Sequence, residues 1–366
     1  MLQKFFVTAM AVLSYHATIA QSESAVLSKK DTTVIPDESK KENPLKISGS
    51  VDAYYRFNFN NAKDSGRKNN YTSFTNSQNS FELGMASVKF EYSKGKIGGV
   101  VDLGFGSRAS EFSYNESGAT AAVKQAYVTF APSGLVKFSI GKWATHVGYE
   151  LLDPQLNRNY SMSYMFSFGP FSHTGLKADF TLGHGFGLMV GVANPTDYLS
   201  SSFGKKNFIA QVSKNGDKIN AYLNYVGGKD PANNMINQVG LSATATISSK
   251  FGLGYDGTIK SVKFVGSSKA KEWWGSALYI NVDPVNKFGL SLRTEYFSDK
   301  KGVAGFSTSI FDATLSLNIK PVNGLIIIPE FRVDSGKDPL FFKNSDTVSP
   351  TAKATGSFVL AAIINF

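Results

Sequence analysis

Hydrophobic and polar residues alternate along most of this chain. In residues 46–59, KISGSVDAYYRFNF, one parity holds Ile47, Gly49, Val51, Ala53, Tyr55, Phe57 and Phe59. The other holds Lys46, Ser48, Ser50, Asp52, Tyr54, Arg56 and Asn58. Successive side chains of a strand point to opposite faces, so this stretch predicts an amphipathic β-strand. The same period returns at 217–225, 287–296, 308–320 and 325–334. In the last of these Pro329 falls on the apolar parity, which predicts a bulge because proline cannot donate to a ladder. The pattern extends to about sixteen strands: 46–59, 79–92, 95–106, 121–131, 134–142, 171–182, 186–194, 206–213, 217–226, 235–248, 251–265, 270–282, 287–297, 308–320, 324–334 and 354–366.

A soluble sandwich also alternates, but the connections here do something a sandwich does not. Short turns, such as Gly183-His184-Gly185 and Asn215-Gly216, take turns with long loops near 60–78, 107–120, 143–170, 195–205, 227–234, 266–269, 298–307 and 335–353. Short turns on one side and long loops on the other predict an all-β fold, a transmembrane antiparallel β-barrel of about 16 strands with periplasmic turns and extracellular loops. Lipid cannot satisfy an open sheet edge, so the barrel must close. The closing partner of 46–59 is the final segment, SFVLAAIINF, which ends on Phe366. Aromatics such as Tyr55, Phe57, Trp273, Trp274 and Phe366 are expected in the interfacial girdles.

The first residues read differently. Residues 1–20, MLQKFFVTAMAVLSYHATIA, put one lysine before an apolar run and end on small residues, the form of a secretory signal peptide cleaved near Ala20. Residues 21–45 are polar and aperiodic, a flexible periplasmic lead-in. The barrel is assigned to 46–366. The absence of cysteine excludes disulfides and thiolate metal sites. Of the formal charge of +10, the leader removes only Lys4, leaving +9. The basic residues are scattered, which argues against nucleic acid and leaves an anion-attracting pore or binding to lipopolysaccharide phosphates.

Residues 141–177, GKWATHVGYELLDPQLNRNYSMSYMFSFGPFSHTGLK, together with SGSVDAYYRFNFN at 48–60, resemble the β-barrel porin-2 family, also called OmpL-like, of Gram-negative outer membranes. The resemblance covers most of 46–366. It implies a passive, water-filled outer-membrane channel for small hydrophilic solutes or ions, without fixing the solute.

Selectivity in such a pore comes from charged groups at a constriction. Period-two reasoning turns Arg56, Lys137, Arg293, Glu295, Asp312, Glu330 and Arg332 inward. The long loop 143–170 adds Glu150, Asp153 and Arg158, and its Met162, Met165, Phe166 and Phe168 would be badly placed in open water. The loop is therefore expected to fold inward and narrow the pore, the alternative being a cap over the rim, with a helical turn in 151–158 and with Glu150 and Arg158 carrying opposite charges near the eyelet. No cofactor or metal is expected. Histidines 146, 173 and 184 have no nucleophile beside them in usable geometry, and no H-E-x-x-H, P-loop or nucleophile elbow occurs, so the chain is read as no enzyme. The expected partners are lipid, lipopolysaccharide, small hydrophilic solutes and the β-barrel assembly machinery, which would read Phe366. The strand number is compatible with a homotrimer. The alternatives are a non-conducting structural or adhesive barrel and an outer-membrane hydrolase.

Overall fold

The computed structural model describes residues 43–62, 68–202, 204–344 and 348–366. The leader and most of the lead-in lie outside the described residues. Sixteen strands follow in order: β1 (Leu45–Asn58), β2 (Ser80–Lys94), β3 (Ile97–Phe105), β4 (Val123–Ser133), β5 (Val136–Ala144), β6 (Ser172–Gly183), β7 (Phe186–Ala193), β8 (Asn207–Asn215), β9 (Ile219–Lys229), β10 (Met235–Ser248), β11 (Phe251–Lys263), β12 (Lys271–Val285), β13 (Phe288–Ser298), β14 (Ser309–Ile319), β15 (Leu325–Gly336) and β16 (Ala354–Asn365). Each pairs antiparallel with its neighbour in sequence, and β1 pairs with β16 to close the barrel.

The seam runs from Ser50 opposite Asn365 to Asn58 opposite Ser357. It continues one residue further, because Gly49 and Phe366 exchange backbone hydrogen bonds of 2.9 and 3.0 Å. The terminal residue is thus tied into the wall, which satisfies backbone groups that lipid would leave orphaned.

Alternation sorts the side chains as the period requires. Ile47, Val51, Leu360, Ile364 and Phe331 are exposed on the outer face, while Ser50, Asp52, Arg56, Glu330 and Arg332 are buried on the inner one. Two sequence expectations are corrected. Trp273 is no girdle residue: adjacent to the outward Trp274, it must face inward, and it is buried against Phe297 with ring centroids 5.2 Å apart. Pro329 produces no bulge. Its ladder with β16 is continuous, and the register with β14 is the same on either side of it, from Ser316 opposite Glu330 to Ile319 opposite Ile327. The proline removes ladder bonds opposite Leu317 and Asn318 without adding a residue.

Candidate functional site

The longest connection, residues 145–171 between β5 and β6, enters the barrel and crosses it. Its tip is built locally: Pro154 opens a 3-10 turn (Pro154–Leu156), and Asn157 binds both the N–H (2.9 Å) and the carbonyl (2.5 Å) of Leu151. After the tip, Ser163 caps a short helix α1 (Tyr164–Phe168), its hydroxyl accepting the Phe166 N–H at 3.1 Å. The apolar side chains that open water would expose are buried instead. Met162 and Phe166 join Phe74, Met85 and Phe112, and Tyr164 and Met165 join Trp273, Tyr279 and Phe297. The segment is therefore a plug, held by the wall it covers.

One arc of wall binds the plug with charge. Arg293 donates to Glu150 (2.7 Å), to the Ser161 carbonyl (2.6 Å) and to Asp312 (2.9 Å). Arg332 donates to the Met162 carbonyl (2.6 Å) and pairs with Asp334 (2.7 Å) and Asp312 (3.2 Å). Here five carboxylates, Glu150, Glu295, Asp312, Glu330 and Asp334, face two guanidinium groups. Backbone N–H groups of the plug take up part of the excess. Glu330 accepts from Tyr160 (2.7 Å) and Ser161 (3.0 Å), and Glu295 from Tyr164 (2.7 Å) and Met165 (2.8 Å). Such bonds to carboxyl oxygens satisfy plug amides that would otherwise be orphaned. The Tyr160 hydroxyl donates to Asp52, which occupies the space a Cβ at Gly84 would fill; Gly84 is the extra residue where the β1–β2 register shifts.

Arg108, in the β3–β4 loop, is fully buried on the plug. It donates to the carbonyls of Leu152 and Tyr160 at 3.2 Å and lies 4.8 Å from the centroid of the Tyr160 ring. Both carbonyl bonds and the ring face suit a planar cation.

The feet of the plug lie side by side. The Thr145 N–H donates to the Phe171 carbonyl (2.9 Å), and the Thr145 hydroxyl meets His173 Nε2 at 3.0 Å. His146 and His173 have ring centroids 5.0 Å apart. Burial lowers His146 to about 4, so it stays neutral near pH 7. Asp197, in the β7–β8 loop, accepts the Phe171 and Ser172 N–H groups at 2.7 and 2.8 Å. Burial pushes Asp197 up to about 6 despite those amides.

A carboxyl raised on folding stabilises the fold fully below its unfolded pKa, about 4, and that contribution is lost as pH rises through 6. Asp197→Asn keeps an acceptor oxygen and removes the charge. In detergent thermal scans the variant is expected to unfold at a higher temperature than the parent near pH 7 and at the same temperature near pH 4.

The sequence-derived site residues separate into groups. Glu150, Arg293, Glu295, Asp312, Glu330 and Arg332 come together around the plug. Asp153 pairs with Lys124 (2.6 Å), which also holds Asp102 (3.0 Å). Arg56 is buried higher on the long-loop side, bound to the carbonyls of Lys68 (3.0 Å), Asn69 (3.2 Å) and Ser77 (2.7 Å). Lys137 sits beside a short turn, opposite Asp179 and away from the plug contacts. Glu150 and Arg158 have separate partners: Glu150 meets Arg293, while Arg158 reaches the short-turn end and pairs with Asp283 through two bonds of 2.7 and 2.5 Å. The reach is a consequence of chain length, because the tip has already passed through the barrel. Asp102, Lys124 and Asp256 escaped the sequence reading although alternation could have found them. Arg108 and Asp197 lie in loops and carry no periodic signal.

Residues 44–366 match the family described as "Putative beta-barrel porin-2, OmpL-like". No curated protein matches the chain in sequence. In structure it is similar to the anion-selective porin from Comamonas acidovorans, with a TM-score of 0.60 at 10% identity, covering 88% of this chain and 99% of that one. It is similar to the outer-membrane channel DcaP of Acinetobacter baumannii, with a TM-score of 0.60 at 12% identity over 88% and 97%. It is also similar to OmpT of Vibrio cholerae, with a TM-score of 0.58 at 12% identity over 89% and 99%. At these identities the likeness is one of fold.

Proposed function

Since the chain belongs to the OmpL-like porin-2 family, we propose that it is an outer-membrane diffusion channel for small hydrophilic solutes or ions, in which residues 145–171 set the bore. The observation that carries this reading is the plug itself. A barrel that served only as an anchor would have no need of a loop passed through its lumen and fitted to both arcs of the wall. The burial of Arg293, Glu295, Asp312 and Glu330 beneath the plug favours a second reading, a non-conducting structural barrel. Planar bilayers distinguish them. Purified protein is expected to give small, discrete conductance steps; a silent membrane would reject the channel and leave the structural barrel.

The charges against the plug are more acidic than basic, so the lumen offers no source for anion preference. We place any such preference on exposed lysines outside it, at 205–206, 269, 271 and 300–301. These would also suit lipopolysaccharide phosphates, and their effect on ions should fade as salt screens them within ~8–10 Å. Charge on the rim attracts ions without choosing among those that fit.

The leader cleaved near Ala20 and the assembly signal at Phe366 belong to the same reading. The Phe366 ring stands over Gly49 at the seam and is largely exposed to lipid. Deleting Phe366 removes the last backbone pair and an exposed aromatic end. Folded barrel recovered from the outer membrane is expected to fall several-fold, while single pores that do assemble keep their conductance.

A further inference from the structure

The plug is held unevenly around the barrel. Toward β12–β16 and β1, Glu295, Glu330, Arg293 and Arg332 each hold it through at least one charged bond of 2.6–3.0 Å, with longer secondary contacts of 3.4 Å from Arg293 to the Met162 carbonyl and 3.5 Å from Arg332 to the Ser161 hydroxyl. Toward β8–β11 its bonds run 3.2–3.3 Å: His146 Nε2 to the Tyr225 carbonyl, Gln211 Nε2 to the His146 carbonyl, the Tyr149 N–H to Asp256, and Lys260 Nζ to the Phe168 carbonyl. Short charge-assisted bonds are the stronger class. The plug is therefore bound firmly to one arc and leans on the other.

The wall it leans on has a distinct chemistry. The buried inward side chains of β8–β10 include Asn207, Gln211, Asn224, Gln238 and Ser242, and no carboxylate, ammonium or guanidinium group. Three of these amides keep a buried atom without a hydrogen-bond partner: Asn207 Oδ1, Asn224 Nδ2 and Gln238 Nε2. Buried polar groups are ordinarily satisfied. Partnerless atoms occur on the opposite arc too, at Asp52 Oδ1, Tyr279 Oη and Arg293 Nε, but there charged groups hold the plug, whereas on β8–β10 the spare atoms all belong to neutral amides that can bind something other than the plug.

Resting on the channel reading above, we propose that solute passes between the plug and the β8–β10 wall, and that this solute is uncharged and rich in hydroxyl or amide groups. Amides exchange hydrogen bonds with such a solute as it sheds water. They offer nothing to offset the desolvation of a net charge. The charged arc opposite stays closed, because parting it from the plug would strand Arg293, Glu295 and Glu330.

The absence of cysteine allows a direct test, since an introduced pair is the only pair of thiols. A Cβ at Gly240 would lie 3.3 Å from Val147 Cγ1, and one at Gly275 would touch Met165 Cγ, so each pair is within disulfide reach. Val147→Cys with Gly240→Cys ties the plug to the amide wall. Met165→Cys with Gly275→Cys ties it to the firmly bound side. The readout is swelling of proteoliposomes in arabinose and in its acid, arabinonate. The oxidised 147/240 pair is expected to lose most arabinose uptake and to regain it on reduction, which shows that the variant is folded. The oxidised 165/275 pair should match its reduced form, and arabinose should enter faster than arabinonate through the natural chain. Blockage by 165/275 with none by 147/240, or faster arabinonate, would overturn the proposal while leaving a channel. If the natural chain passes neither solute and no ions, the channel reading itself fails.

Discussion

Replacing residues 146–170 by a short glycine-serine link is expected to raise unitary conductance several-fold. Ala144 and Ser172 are cross-strand neighbours, so a tight connection can join them without disturbing the ladder. The sixteen-strand circuit contains no plug residue, and its backbone pairing survives the deletion. What changes is the lumen. Arg293, Glu295, Asp312, Glu330 and Arg332, now buried under the plug, would face water, where their charges are solvated and the arginines and carboxylates still pair. Tyr54, Ile328, Val359, Ala361 and Ile363 would lose the cover of Tyr160, a cost in stability that the closed ladder is expected to absorb. Bilayer recordings check the conductance, and heat-modifiable mobility on gels checks the fold. A conductance unchanged by the deletion would mean that the plug does not limit flow.

The barrel was legible because lipid permits so little. A spanning strand must alternate and must pair, and both demands are written locally. The sequence placed a strand at 235–248, where β10 is found; the 270–282 segment ends three residues late, at Val285, where the β12–β13 register shifts beside the turn. Pro329 misled because a missing donor and an extra residue give the same sequence signal, and only the partner strand tells them apart. The plug's inward course was also legible, from apolar residues stranded in a long loop. Its partners were not. Glu150 and Arg293 stand 143 positions apart, and nothing periodic connects a loop residue to the strand it will meet. Glu150 and Arg158 share one loop, yet the chain runs on between them, so that one meets Arg293 in mid-strand and the other Asp283 near the short turn.

Arg293→Met is the single substitution expected to matter most. The guanidinium is fully buried and serves two carboxylates and a plug carbonyl at once. Methionine fills much of the same volume and removes only the charge and the donors. Glu150 and Asp312 would then be buried with their main cation gone, and breaking one side of a buried pair costs about 3–5 kcal/mol. Arg332 limits the damage at Asp312, which it already reaches at 3.2 Å, but among the described residues Glu150 keeps only the Ser163 N–H (2.8 Å) and no second cation. The loss should therefore fall mainly on Glu150, and the plug should loosen where that residue is held. Two results are expected together: a lower unfolding midpoint in detergent, and noisier, larger conductance. Glu150→Gln in the same chain provides the check. If Glu150 carries the strain, the double variant Arg293→Met with Glu150→Gln should recover stability relative to Arg293→Met alone, because the stranded charge is gone. Its conductance should stay high, because the tie between plug and wall is still broken. Additive losses in the double variant would show instead that Arg293 acts chiefly through Asp312 and the Ser161 carbonyl.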